Sequence, residues 1–174
     1  LLSQRPFRAP HHSISRAGLV GGGSGIPRPG ELSLSHRGVL FLDELPEFSR
    51  AILENLRQPM ESGEVVLSRV MATLVYPADA LVVAAMNPCP CGYFGQTHQS
   101  CRCMLNDVIR YRNRLSGPLL ERMDIQIEVP PVPLQLLQEK ISEESSDQIR
   151  GRVILARQKQ RERFQSHALN GQMS

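Results

Sequence analysis

Two adjacent carboxylates, Asp43 and Glu44, end a run of four apolar residues, Val39-Leu40-Phe41-Leu42. An unbroken apolar run of this length suits a strand buried on both faces of a parallel sheet. Open α/β sheets hold their ligands at the carboxyl ends of strands. Two acids placed there are costly to desolvate unless a cation meets them. A hydrated Mg²⁺ is the fitting partner, since it takes carboxylate and water oxygens. Asp43 would hold the magnesium shell, and Glu44 would orient a water for attack on a phosphate. The plainer reading is an acidic turn ended by Pro46.

Cys89, Cys91, Cys101 and Cys103 form two Cys-x-Cys pairs separated by nine residues. In a reducing compartment this pattern points to one tetrahedral Zn²⁺. The spacing within each pair is tighter than the roughly two to four intervening residues usual at zinc. Free thiols are the alternative, and disulfides do not suit that compartment. His98 could replace one cysteine, although four thiolates already close a structural site. Arg102 lies inside the motif, so nucleic-acid contact stands beside a purely structural role.

The surrounding elements must place these groups. Leu81–Met86 is a second all-apolar stretch, and it ends at Asn87. A neutral amide there can sense a phosphate or a water, or simply form a turn before Pro88. Arg5 to His12 contains two prolines and reads as extended. Adjacent histidines point opposite ways on a strand, so His11 and His12 make a poor chelating pair. Gly18–Gly30 lacks the Gly-Lys-Ser/Thr ending of a phosphate loop and reads as a mobile surface loop.

The alternation in Glu31–Ser35 suggests a short strand. Ser49 is a helix N-cap, with Ile52, Leu53, Leu56 and Met60 on one face behind it. Pro59 should kink or end that helix, and Gly63 should close it. Glu64–Arg69 and Ala72–Tyr76 read as a hairpin turning near Val70 and Met71. Asn106–Leu115 looks helical, and Pro118 starts a short helix carrying Leu119, Leu120 and Arg122. Ile125–Val129 is expected to be a third strand. Leu134–Lys140 and Asp147–Phe164 read as helices, and Ser166–Ser174 as a disordered tail.

Composition adds bounds. The 174 residues are enough for one sizeable core, with 41% hydrophobic and 21% charged residues, and no apolar run is long enough to span a membrane. No signal-peptide pattern opens the chain, so a cytoplasmic protein is the default. The missing initiator Met suggests a segment of a longer protein. A net charge of +3 does not by itself imply a nucleic-acid partner. The clusters Arg102/Arg110/Arg112/Arg114 and Arg150/Arg152/Arg157/Lys159/Arg161/Arg163 are compatible with one.

Taken in order, the Asp43-Glu44 strand, the Asn87 strand and Gly117-Pro-Leu-Leu-Glu-Arg122-Met-Asp124 resemble the AAA+ ATPases. Among these, the chain is similar to the magnesium-chelatase-like ComM/YifB family. The carrying stretches are Arg5-Pro-Phe-Arg-Ala-Pro-His-His12, Pro29-Gly-Glu-Leu-Ser-Leu34, Gly38-Val-Leu-Phe-Leu-Asp-Glu-Leu45, Leu56-Arg-Gln-Pro-Met-Glu61 and Asn87-Pro-Cys-Pro-Cys-Gly92. The resemblance implies a partial P-loop NTPase core: an α/β fold with a parallel sheet, β-hairpin insertions and a four-cysteine zinc knuckle. It implies a core over residues 1–133, then a linker and the start of a helical lid over 134–174.

It further implies that Asp43 and Glu44 are Walker B acids, Asn87 a sensor, and Arg122 an arginine finger reaching into a neighbouring subunit. ATP and Mg²⁺ are the implied cofactors, and a homo-oligomeric ring, expected to be hexameric, the implied assembly. The family's Walker A loop would precede Leu1 and its second sensor arginine would follow Ser174, so this chain alone should hydrolyse ATP negligibly. The implied activity is branch migration of DNA in recombination and natural transformation. A chelatase-type motor driving metal insertion through a partner is the alternative. A non-catalytic zinc-binding module is the other.

Overall fold

The computed structural model describes residues 4–23, 25–68, 73–96, 99–130, 132 and 144–164. The chain divides into two compact units, Leu1–Met123 and Asp124–Ser174. The first begins with β1 (Phe7–Arg8), α1 (Arg16–Leu19), β2 (Gly21–Gly22), β3 (Arg28–Pro29), α2 (Glu31–Leu34) and β4 (Val39–Leu42). A 3₁₀ turn, Leu45–Glu47, leads to α3 (Arg50–Glu54), α4 (Arg57–Ser62), β5 (Glu64–Ser68), β6 (Thr73–Pro77) and β7 (Leu81–Ala84). The unit closes with α5 (Leu105–Arg112) and α6 (Gly117–Leu120), and the second unit holds α7 (Ser146–Phe164).

β1, β4 and β7 form a parallel sheet in that order, with Phe7 opposite Val39 and Leu42 opposite Ala84. Leu40 and Leu42 are fully buried beside Leu19, Leu32, Leu53, Leu56 and Leu119. The opposite face differs from the two-sided burial expected: Val39 and Phe41 are half-buried, and Leu81 is 64% exposed. Only one sheet face is packed among the described residues. Gly38 is required where β1 and β4 converge, because a Cβ there would overlap the Pro6 carbonyl that accepts the Val39 amide.

Three other expectations are corrected. Glu31–Ser35 is helical, not a strand: Leu32 faces the core while Leu34 is exposed, and the Ser35 hydroxyl donates to the Leu32 carbonyl at 2.7 Å. Alternation over so few residues fits one helical turn as well as a strand. Gly18–Gly30 is not a featureless loop. β2 and β3 pair in antiparallel fashion across it, and Leu19 and Val20 are buried. Ile125–Val129 forms no strand, and Ile125, Ile127 and Val129 are each at least 75% exposed. Its alternation is sound, but a strand needs a neighbour, and none pairs with it among the described residues.

Ser49 caps α3 as expected, its hydroxyl accepting from the Ile52 amide at 3.3 Å. The break before Pro59 falls between α3 and α4, where the ring would crowd the Asn55 carbonyl. Gly63 ends α4 at φ 70°. The hairpin is present with Leu67 opposite Leu74, and its turn at Val70 and Met71 lies outside the described residues. So do His98, the Leu134–Lys140 helix and the Ser166–Ser174 tail.

In the second unit α7 opens on a capping box. The Ser145 hydroxyl accepts from the Gln148 amide at 3.3 Å, and the Gln148 side chain accepts from the Ser145 amide at 2.8 Å. Arg152 pairs with Glu144 at 2.6 Å, so part of the basic cluster is already neutralised.

Candidate nucleotide and metal site

The parallel pairing of β4 and β7 brings two predicted site segments to one sheet edge. The Ala85 amide donates to the Leu42 carbonyl at 3.0 Å, and the Leu45 amide donates to the Ala85 carbonyl at 2.9 Å. The Asp43–Glu44 turn is thereby stitched to the segment that runs into Asn87. All three side chains are solvent-accessible. Glu44 adopts a left-handed backbone, φ 51° and ψ 46°, which few residues without a special reason accept. Its amide donates to Asp43 Oδ1 at 2.9 Å.

His12 joins this edge. Its Nδ1 lies 3.2 Å from Glu44 Oε2. Its ring sits 4.0 Å from that of His11 and meets Phe48 edge-on. The two histidines lie at a turn, not on a strand, and their rings stay together rather than splaying. No pattern in the sequence couples His12 to Glu44, because strand pairing alone brings them together.

Arg122 stands apart from this group in its bonding. It follows α6, with Pro118 in that helix's first turn, and its Nη2 donates to Glu61 at 3.1 Å. Neither Glu121 nor Asp124, the neighbours expected for a surface pair, is the ion partner found. Two arginines read only as part of a basic cluster also bond inward. Arg112 Nε donates to the Pro88 carbonyl at 3.2 Å, and Arg114 Nη1 donates to the Pro46 carbonyl and to Glu47, each at 3.0 Å.

The four cysteines converge. Cys89 Sγ is 3.4 Å from Cys91 and 3.7 Å from Cys101, and Cys91 is 3.5 Å from Cys101. All four sulfurs lie within 4.8 Å of one another. Zinc–sulfur bonds of about 2.3 Å in a tetrahedron give sulfur–sulfur edges of about 3.8 Å, close to these values. These separations are well beyond the S–S length of a disulfide, about 2.05 Å, and all four cysteines are free. Gly92 and Gly95 take φ 82° and 81°, the left-handed turns that let the loop fold back on itself. The Phe94 amide donates to the buried Cys89 sulfur at 3.3 Å.

The sulfurs pull one another's protonation in opposite directions. Backbone amides of Tyr93 and Arg102 lower the Cys91 thiol to about 6. Cys103 is pushed up to about 12: a backbone hydrogen bond at Cys91 pulls it down, but desolvation and the other three sulfurs outweigh that. Cys101 is raised too, its Cys103 backbone bond outweighed by desolvation and by Cys91 and Cys89. Without a metal Cys91 is poised to ionise, while Cys101 and Cys103 hold their protons; a cation would be needed to keep all four as thiolates, and the soft donor set fits Zn²⁺.

Comparison with known proteins places the chain in a family. The family described as magnesium chelatase, subunit ChlI, matches residues 1–137. The chain is 54% identical over 161 residues to the competence protein ComM of Haemophilus influenzae, covering 92% of this chain and 31% of that protein. It is 52% identical over 158 residues to the YifB protein of Escherichia coli, covering 90% and 31%. The 67 kDa magnesium-chelatase subunit of Chlorobaculum parvum is 27% identical over 92 residues, covering 48% and 15%. The chain thus spans about a third of the length of its most similar relatives named here. It belongs to the magnesium chelatase ChlI family, as a protein of the ComM/YifB type.

Proposed function

We propose that this chain is part of an AAA+ motor that hydrolyses ATP in a ring and acts on DNA. The observation that carries the reading is the stitching of the Asp43–Glu44 turn to the Asn87 segment at one sheet edge. Phosphoryl transfer needs a metal, an oriented water and donors to the phosphate, and these residue types supply the places for them. Asp43 would hold Mg²⁺, whose charge would neutralise phosphate oxygens; the exposed carboxylate is the oxygen donor that ion prefers. Glu44 orients the attacking water, Asn87 bonds the terminal phosphate, and Arg122 serves a neighbouring subunit. Support for DNA as the partner comes from the competence role in the name of the Haemophilus relative and from the arginine-rich α7.

The cysteine cluster binds one Zn²⁺ as a structural knuckle in this reading. Among the described residues no helix is long and apolar enough to cross a membrane. The experiment is ATP turnover by the full-length protein with and without branched DNA. Glu44→Gln should keep ATP binding and lose hydrolysis, since an amide cannot polarise the water. Asp43→Asn should also weaken magnesium-dependent binding. Near-normal turnover in Glu44→Gln removes Glu44 from the mechanism, and turnover indifferent to DNA removes DNA as the partner.

A further inference from the structure

We propose that the end of α5 is a positioning clamp, with Arg112 and Arg114 holding the Asn87 loop and the Asp43–Glu44 turn in fixed relation; the inference rests on the hydrolytic reading above. The sequence offers these arginines, with Arg110, as a basic patch. Arg110 and Arg112, two apart on α5, point about 200° from each other, and Arg114 lies past the helix end at Arg112, so helical spacing does not make the three one patch. Arg110 does point to solvent, 81% exposed and 3.9 Å from Asp107. Arg112 and Arg114, although exposed, bond to opposite halves of the candidate phosphate site.

The bonds fall beside the reacting groups. Pro88, whose carbonyl takes Arg112, directly follows Asn87. Pro46, whose carbonyl takes Arg114, lies two residues beyond Glu44. Arg114 Nη1 also bonds Glu47 in the same turn, so one guanidinium fixes that turn through a backbone and a side-chain acceptor. Tyr111, next to Arg112, is buried.

The helix end is itself anchored. Val108, Tyr111 and Leu115 are each at most 6% exposed. On the far side Arg112 lies over the Phe94 ring, 5.4 Å from its centroid, and the Phe94 amide bonds Cys89. The cysteine knuckle thus backs the clamp where it meets Asn87. A displacement of about 1 Å at such a site can cost roughly a hundredfold in rate without loss of substrate binding.

The test is steady-state kinetics of the full-length protein, with DNA affinity measured alongside. Arg114→Met should lower kcat for ATP about tenfold or more while KM stays within about twofold. Arg114→Lys, which can still reach the Pro46 carbonyl and Glu47, should restore much of it. Arg112→Leu, which keeps packing on Phe94 but loses the donor, should also lower kcat. DNA affinity and its salt dependence should not change.

Normal kcat in Arg114→Met and Arg112→Leu overturns the clamp. So does weakened DNA binding with normal kcat, which would make these arginines DNA contacts. If Arg114→Met fails to fold, normal kcat in Arg112→Leu is sufficient to overturn it. A wild-type protein that hydrolyses ATP, with Glu44→Gln inactive, shows that only the clamp has failed. A wild-type protein without ATP turnover sinks both readings.

Discussion

His12 Nδ1 lies 3.2 Å from Glu44 Oε2, linking the turn after β1 to the acid that follows β4. The contact matters because Glu44 is half exposed and sits on a left-handed backbone, so little else holds its side chain. With Nδ1 protonated, the imidazole donates to the carboxylate and narrows its rotamers. Replacing His12 by Ala should lower ATP turnover of the full-length protein about tenfold or more, with ATP affinity nearly unchanged. His12→Asn, which keeps a short donor, should recover part of the loss. Unchanged turnover in His12→Ala would make the contact incidental.

The cysteine cluster predicts a metal content and a pH dependence. Elemental analysis of the purified chain should give about one zinc per chain, and Cys89→Ser with Cys91→Ser should abolish it. Substituted Co²⁺ should show the intense visible bands of tetrahedral thiolate ligation. Each ligand must lose a proton to bind, so affinity should fall as the pH is lowered and more steeply below about 6, where Cys91 also takes up a proton. A metal-free protein with four titratable thiols and unaltered stability would count against the knuckle.

What was legible in the sequence was what local pattern controls. The unbroken run Val39–Leu42 reads as an apolar strand, and the acids after it mark its end. Ser49, Gly63 and the hairpin strands follow from caps and β-branched residues. Two Cys-x-Cys pairs suffice to bring four sulfurs together once the loop folds back. Features set by distant partners stayed hidden. The direction of Arg112 and Arg114 depends on carbonyls contributed by other segments. Ile125–Val129 has the pattern of a strand but no neighbour to pair with among the described residues. Val39 and Phe41 are only half covered because burial of a second sheet face needs elements that the pattern of one strand does not specify.

Arg8 and Glu31 form a two-bond ion pair between β1 and α2, with Nη2 to Oε1 at 2.7 Å. The Arg8 hydrogen bond holds the Glu31 carboxyl below its ordinary 4.5, against partial desolvation. A depressed folded pKa contributes stability that is present above about 4.5 and lost as pH falls through the folded value. Glu31→Gln should therefore cost about 1 kcal/mol at pH 7, a modest figure because Arg8 is partly in water. The difference should shrink at an acidic pH below the folded value of Glu31. Urea unfolding of both proteins at the two pH values measures it, and an equal gap at both would assign the effect to packing.

Arg122 and Glu61 are 3.1 Å apart, and Glu61 is 65% exposed on its side chain. Such a pair contributes little to stability, so Glu61→Gln should change it by less than about 0.5 kcal/mol. In the proposed ring, a weakly held guanidinium would be free to exchange its carboxylate for a phosphate on an adjoining subunit. It stays charged and can contact two phosphate oxygens. In the full-length protein, Arg122→Ala alone and Glu44→Gln alone should both be inactive. Mixed assemblies should regain some turnover, because the intact Arg122 of a Glu44→Gln subunit can serve the intact Glu44 site of an Arg122→Ala neighbour. No recovery on mixing, with assembly verified, would place Arg122 in its own subunit's site. Normal hydrolysis by assembled Arg122→Ala would leave it as the surface partner of Glu61 and nothing more.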